Sequence, residues 1–279
     1  MNKKKTHKKT KAGDKQTIES VRQQLILPLW PETDRAIPNS IARSALFSVV
    51  KRGPRRIMDK EPVAAWSDVT MIYSGERLDQ ADLDVWLQVA HMAMNRTGQQ
   101  PADPVLFSAH SFLKSIGRST GKSQYQWLER SLSRMHRSHV NLEHPDAEYH
   151  GYLVPEYSTN RITRQIAVTL NPRLIAIFGD QNVTRVVLET RLSLKNDLAK
   201  WLYTYVSSQS SPHRIHLTQL KPLCGMESNL KDFRRALKRD MDVLLRTNVV
   251  SKWFIDTDGH LNFERPDSHQ GLIPPSDSA

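Results

Sequence analysis

An α+β fold that uses one order of elements twice is predicted by three features of the sequence. A helix, strand, helix, helix, hairpin succession occurs in each half. Two of the helices set a continuous apolar stripe against a cationic outer face. The strands are short and bounded by Gly, Pro and Asx turn residues.

Residues 1–22 form a basic arm with no periodic apolar face, which predicts disorder. Residues 23–62 carry Pro28, Pro31, Pro38, Pro54 and Pro62. Proline removes a backbone donor and disfavours helix at the residue before it. A linker is expected there, with one short helical run possible within 39–50. Residues 69–73 read as a strand and Ser74-Gly75 as a turn. Asp79 caps a helix whose inward face is Leu83, Trp86, Leu87, Ala90 and Met94, and Gly98 and Pro101 end it. A strand at 105–107 follows, then a short helix over 108–116 that stops at Gly117. A second helix starts at Gly121 or Lys122 and runs to Arg137, with Tyr125, Leu128, Leu132 and Met135 inward. The strand-rich stretches 140–154 and 161–170 are expected to pair with each other as a hairpin. The first domain is thus placed at 63–181.

The order returns over 182–266. A helix is predicted over 188–206, with Leu198, Trp201, Leu202 and Tyr205 on one face. A short strand and a short helix capped by Thr218 and ending at Gly225 follow. The helix over 228–245 buries Leu230, Phe233, Leu237, Met241 and Leu244. Asp258-Gly259 then turns a hairpin. The Pro- and Ser-rich residues 267–279 are expected to be a disordered tail. This order is that of the winged helix, in which the second helix of a helix-turn-helix enters the DNA major groove and a hairpin flanks it. Two tandem winged-helix domains behind a basic disordered arm are therefore expected.

The charge is placed accordingly. The net charge is +11, and its excess sits in three short windows. Residues 1–15 hold seven Lys against one Asp. Residues 118–137 hold Arg118, Lys122, Arg130, Arg134 and Arg137 against Glu129, and 231–239 hold Lys231, Arg234, Arg235, Lys238 and Arg239 against Asp232. On a helical projection Ser123, Gln126, Arg130, Arg134 and Arg137 point away from the first apolar stripe, as do Ser228, Lys231, Arg235, Lys238 and Arg239 from the second. These residues, with Lys252 and His260 on the last hairpin, are the candidate DNA contacts: cations for phosphate, Arg for guanine edges. Trp127 also points outward, which predicts a cover, most simply the other domain.

Other chemistries find little footing. Cys224 is the only cysteine, which excludes a disulfide within the chain and a thiolate zinc site. No apolar run approaches the roughly 20 residues of a membrane span. Gly117 to Ser123 (GRSTGKS) is one residue short of a phosphate loop and follows a helix where that loop needs a strand, so nucleotide chemistry at Lys122 is a minor alternative. His136, His139, His144 and His150 span a helix end, a strand and a loop, and His213 and His216 do not form His-x-His. No metal, cofactor or catalytic residue is expected.

Three segments carry a resemblance. They are Trp30-Pro31-Glu32-Thr33-Asp34-Arg35-Ala36-Ile37-Pro38-Asn39 with Ala42-Arg43-Ser44-Ala45-Leu46-Phe47, Tyr73-Ser74-Gly75-Glu76 leading into Leu83-Asp84-Val85-Trp86, and Leu223-Cys224-Gly225 before the basic helix. Across roughly residues 22–264 the chain resembles the TrfA family of plasmid replication initiators. The resemblance implies binding to origin direct repeats (iterons) on double-stranded DNA, opening of adjacent A·T-rich DNA, and recruitment of host DnaA, replicative helicase and sliding clamp. It implies a monomer–dimer equilibrium in the bacterial cytoplasm, beside nucleoid and plasmid. It also implies a clamp-binding pentapeptide, to which Gln24, Leu25 and Leu27 correspond. Pro28 stands where Phe is expected, so Leu29 is the candidate to fill its place. A winged-helix transcriptional repressor is the alternative with the same DNA-binding features.

Overall fold

The computed structural model describes residues 31–51, 53–66, 69–95, 103–144, 147–171 and 183–266. The arm at 1–22, the clamp-like residues Gln24, Leu25, Leu27 and Leu29, and the tail at 267–279 lie outside the described residues.

The stretch expected to be a linker is built into the fold. β1 (Asp34–Pro38) leads into α1 (Asn39–Ala42), β2 (Phe47–Ser48) and β3 (Ile57–Pro62). β1 runs antiparallel to β11 (Val183–Val187), with Asp34 opposite Val187 and Pro38 opposite Val183. β2 pairs in parallel with β5 (Leu78–Asp79). The prolines misled because of where they fall. Pro38 and Pro62 occupy the last positions of β1 and β3, where a missing N–H costs the ladder little.

The next elements are β4 (Thr70–Glu76), α2 (Gln80–Met94), β6 (Val105–Ser108), α3 (Ala109–Ser115) and α4 (Lys122–Arg137). β4 runs straight through the Ser74-Gly75 pair expected to turn. Gly75 has φ +139°, and a Cβ there would lie 3.1 Å from Ser138 Cα, so only glycine fits. Asp79 caps α2 by accepting from the amides of Ala81 and Asp82, both at 2.9 Å. Ser108 caps α3, and Gly117 (φ +67°) ends it.

The strands after α4 depart from expectation. β7 (His139–His144) and β8 (Ala147–Tyr152) form one hairpin, and β9 (Glu156–Thr159) and β10 (Gln165–Thr169) form another. The first joins the four-stranded sheet β3-β4-β7-β8, where Met71, Tyr73, Val140 and Leu142 point inward. The second joins β6 in the order β6-β10-β9.

The second half holds α5 (Leu188–Ser193), α6 (Asp197–Ser207), β12 (His213–His216), α7 (Leu217–Leu223), α8 (Leu230–Arg246), β13 (Lys252–Ile255) and β14 (His260–Glu264). Its sheet order is β12-β14-β13, the counterpart of β6-β10-β9. The two halves thus repeat helix, strand, helix, helix and two wing strands, and β7–β8 is an insertion in the first. His216, rather than Thr218, caps α7. The single helix expected over 188–206 breaks at Leu194–Asn196, and Asn196 begins α6 just before the acidic Asp197.

That break serves a buried polar seam. Along α2, Gln80, Asp84, Gln88 and His91 are buried at helical spacing, on a side apart from the apolar face. Arg191 donates from Nε to Asp84 Oδ1 at 2.7 Å and from Nη2 to Gln80 Oε1 at 3.0 Å. Its Nη1 reaches the Lys200 carbonyl at 3.2 Å and Thr204 Oγ1 at 2.9 Å, both on α6. Lys200 Nζ meets Asp84 Oδ2 at 2.5 Å. Gln88 accepts from Arg35 of β1 at 2.7 and 3.0 Å, and His91 lies 3.2 Å from Glu32. Burial pulls the Arg35 guanidinium and the His91 ring below their ordinary pKa values, the former against the pull of Glu32 and Asp34.

Removing one partner of such a buried pair strands the other charge. Asp84→Ala should lower stability by about 3–5 kcal/mol in urea unfolding. The apolar exchange Asp84→Leu with Arg191→Met should recover a large part of that loss. An unchanged midpoint for the single variant would show that the seam contributes nothing.

Candidate nucleic-acid interface

Both second helices of the helix-turn-helix units hold their cores as expected. Leu128, Leu132 and Met135 are buried on α4, and Phe233, Leu237, Met241 and Leu244 on α8. The stripes are shorter than expected at their starts. Tyr125 and Leu230 are 38% and 44% exposed, because the first turn of each helix projects beyond the core.

On α4 the structure keeps Ser123, Gln126, Arg130 and Arg137 exposed. Arg134 is turned inward. Its side chain is 10% exposed, and Nη2 donates to the buried Asp82 at 2.7 Å. Asp82 also accepts from Ser131 Oγ at 2.6 Å and Arg55 at 2.7 Å. Burial alone would raise the Asp82 pKa, but the Arg134 hydrogen bond and charge, helped by Arg55, hold it below its ordinary value. Burial, then the Asp82 charge, pushes Asp79 up to about 6. Arg134 therefore belongs to the support of α2 and not to an outer face. A single helical wheel could not reveal this, since the acid lies on another helix.

Trp127 is half-buried and packs against the core. The Arg118 guanidinium lies 3.5 Å from its ring centroid and donates to Gln124 at 3.0 Å, so this cation is committed within its own turn. Gly117 to Gly121 form that turn between α3 and α4, Lys122 and Ser123 open α4, and a helix precedes the segment.

On α8, Lys231, Arg235, Lys238 and Arg239 are exposed. Asn229 caps the helix through the Asp232 amide at 2.8 Å. Arg235 lies 3.4 Å from Asp232 but is 74% exposed. Arg239 holds both oxygens of the buried Asp240, at 2.7 and 2.9 Å. Asp240 also ties α8 to Asn196 at 3.0 Å. Ser228 is half-buried with its Oγ shielded from solvent, so this hydroxyl is not an outward group as expected.

The last hairpin differs from expectation. Lys252 is exposed, 3.9 Å from Glu264. His260 is half-buried, edge-on to His216 with ring centroids 4.9 Å apart, and its Nδ1 meets Arg214 at 3.0 Å. The turn itself is acidic. Asp256 is held well below the carboxylate range, first by the His260 amide and, against desolvation, by Asn262 and Arg214. Asp256, Asp258 and His260 lie close enough to suggest a cation site, but Arg214 already stands 3.0 Å from Asp256 and 3.8 Å from Asp258. The hairpin β9–β10 instead exposes Arg161 and Arg164, which the helical projection did not consider. No helix among the described residues is long and apolar enough to cross a membrane.

Two helix-turn-helix units, each closed by a three-stranded sheet, define a tandem winged-helix protein. The chain belongs to the TrfA protein family, whose pattern matches residues 2–262. It is 26% identical over 258 residues to the plasmid replication initiator protein TrfA of Escherichia coli. That match covers 88% of this chain and 65% of the relative, so the chain spans slightly less than two thirds of the relative's length. Two solved structures share the fold. Domains 2 and 3 of RctB align with a TM-score of 0.56 at 11% identity, covering 82% of this chain and 98% of that one. The Pi initiator protein in complex with iteron DNA aligns with a TM-score of 0.54 at 12% identity, covering 85% and 98%.

The two kinds of arginine on α4 should separate by measurement. Arg134→Ala should cost about 3–5 kcal/mol in urea unfolding, because Asp82 loses a buried partner. Arg130→Ala should stay within about 0.5 kcal/mol of the parent. Equal losses would contradict the placement of Arg134.

Proposed function

We propose that this chain is a plasmid replication initiator that binds direct repeats at an origin. The observation that carries the reading is the pair of exposed faces on α4 (Ser123, Gln126, Arg130, Arg137) and α8 (Lys231, Arg235, Lys238, Arg239), each on the second helix of a helix-turn-helix. Such a face can lay cations along phosphates and offer Arg to guanine edges. Family membership and the shared fold with an initiator crystallised on iteron DNA support it.

The units we assign are 63–181 and 182–266, with residues 34–62 threading across both. Binding several adjacent repeats bends or wraps the DNA, and the stored deformation favours opening a weak A·T-rich segment nearby. The work is done by binding energy, and no covalent step is needed. Recruitment of DnaA, helicase and sliding clamp belongs to the same reading. The segment with Gln24, Leu25, Leu27 and Leu29 is the clamp candidate. A peptide of residues 20–34 should bind purified sliding clamp; absence of binding would remove that part.

The test is a titration of purified protein on direct-repeat DNA of its own replicon against shuffled DNA, at two salt concentrations. Repeat-dependent binding is expected, and equal salt-sensitive binding to both would overturn the reading. Arg235→Ala should weaken binding to the repeat by about 1–3 kcal/mol and relax base preference. Parallel weakening on repeat and shuffled DNA would place Arg235 over phosphate instead.

A further inference from the structure

The two wings end in opposite ways. The tip of the second, between β13 and β14, is Asp256-Thr257-Asp258-Gly259, and the one arginine near it, Arg214, is taken up by Asp256 and His260. The tip of the first, between β9 and β10, is Asn160-Arg161-Ile162-Thr163-Arg164. Ile162 is 93% exposed, more than the other large apolar side chains left at the described surface. Neither Arg161 nor Arg164 has an acidic partner among the described residues.

This tip is built, not loose. Asn160 Oδ1 accepts from the amides of Ile162 at 2.9 Å and Thr163 at 3.0 Å, an Asx turn that fixes the loop. The Asn160 amide donates to the Gln165 carbonyl at 2.8 Å and closes the hairpin. Arg164 takes a left-handed φ of 56°, uncommon for a residue with a side chain. The wing is also anchored to the candidate DNA helix. His136 of α4 meets the Val154 carbonyl at 3.1 Å and sets its ring against Tyr157 of β9 at 5.5 Å. Arg137, the next residue, is one of the exposed α4 cations.

An apolar side chain held in solvent between two exposed arginines matches the chemistry of the DNA minor groove. Arginine is drawn to the negative potential of a narrow groove, and an apolar wedge at a base step unstacks it and bends the duplex. We propose that the first wing is a minor-groove wedge, with Ile162 entering a base step and Arg161 and Arg164 lying along the groove beside it. The inference rests on the origin-binding reading above. It assigns bending to one wing and leaves the second, with its acidic tip, away from phosphates.

The test uses the full chain on the repeat duplex of its own replicon, with hydroxyl-radical footprinting, a bend measurement by end-to-end energy transfer, and affinity at several salt concentrations. Residues 160–164 are all exposed, so the variants should keep the wild-type melting temperature. Ile162→Ala should lose the bend and leave the salt dependence unchanged, and Ile162→Leu should retain the bend. The double variant R161A/R164A should lose the minor-groove protection beside the α4 contacts, and its slope of log affinity against log salt should fall by about 2. Variants that match wild type in bend, footprint and slope would overturn the wedge while repeat preference kept the initiator reading intact. A wild-type chain that does not prefer repeats to shuffled DNA would overturn both.

Discussion

The relative placement of the two winged helices depends on a carboxylate and a guanidinium taken out of water together. Asp84 stands on the first helix of the first unit, and Arg191 and Lys200 come from the two helices that open the second. Desolvating these charges is costly, and the cost is recovered only if the geometry is satisfied on all sides. Arg191 meets that condition, with Asp84, Gln80, Thr204 and the Lys200 carbonyl around it. A slipped or rotated arrangement of the two halves would leave charges unpaired in the interior. The seam thus selects one arrangement more than it adds stability, and β1 closes it from the side through Arg35 and Gln88. The separation and orientation of α4 and α8 follow from it.

Charge in this protein has two uses, and composition cannot distinguish them. Arg55, Arg134, Arg191 and Arg35 are spent on buried carboxylates and amides, and Arg118 on an aromatic ring. Arg130, Arg137, Lys231, Arg235 and Lys238 remain in solvent. Arg239 stands between, exposed yet holding Asp240. The net charge of +11 counts all of them alike. The members of this second group lie on α4 and α8.

Much of the fold was legible in the sequence. The strands, caps and apolar stripes that build each helix-turn-helix obey local rules: Asp79, Ser108, Gly117 and the Asp258-Gly259 turn mark element ends through their own backbone chemistry. Outward positions on α4 and α8 were legible for the same reason, since helical periodicity alone places Arg130 and Arg235 opposite the stripe. Where a residue finds its partner far along the chain, periodicity is silent. Arg134 reaches an acid about fifty positions away, and β7 pairs with β4 rather than with β10. The break at Asn196 did leave a local sign, an Asn followed by Asp ahead of an apolar run, which the uninterrupted hydrophobic pattern outweighed.

The sequence by itself therefore determined the helices and caps of the two helix-turn-helix units and the outward side of most of their second helices, because these depend on neighbours within a few residues. The tertiary structure decided which strands pair, how residues 34–62 cross both halves, which arginines are consumed by buried acids and which wing tip exposes arginines. Those outcomes depend on desolvation and on contacts between distant segments, and a charge shows its role only when the group that does or does not neutralise it is in place.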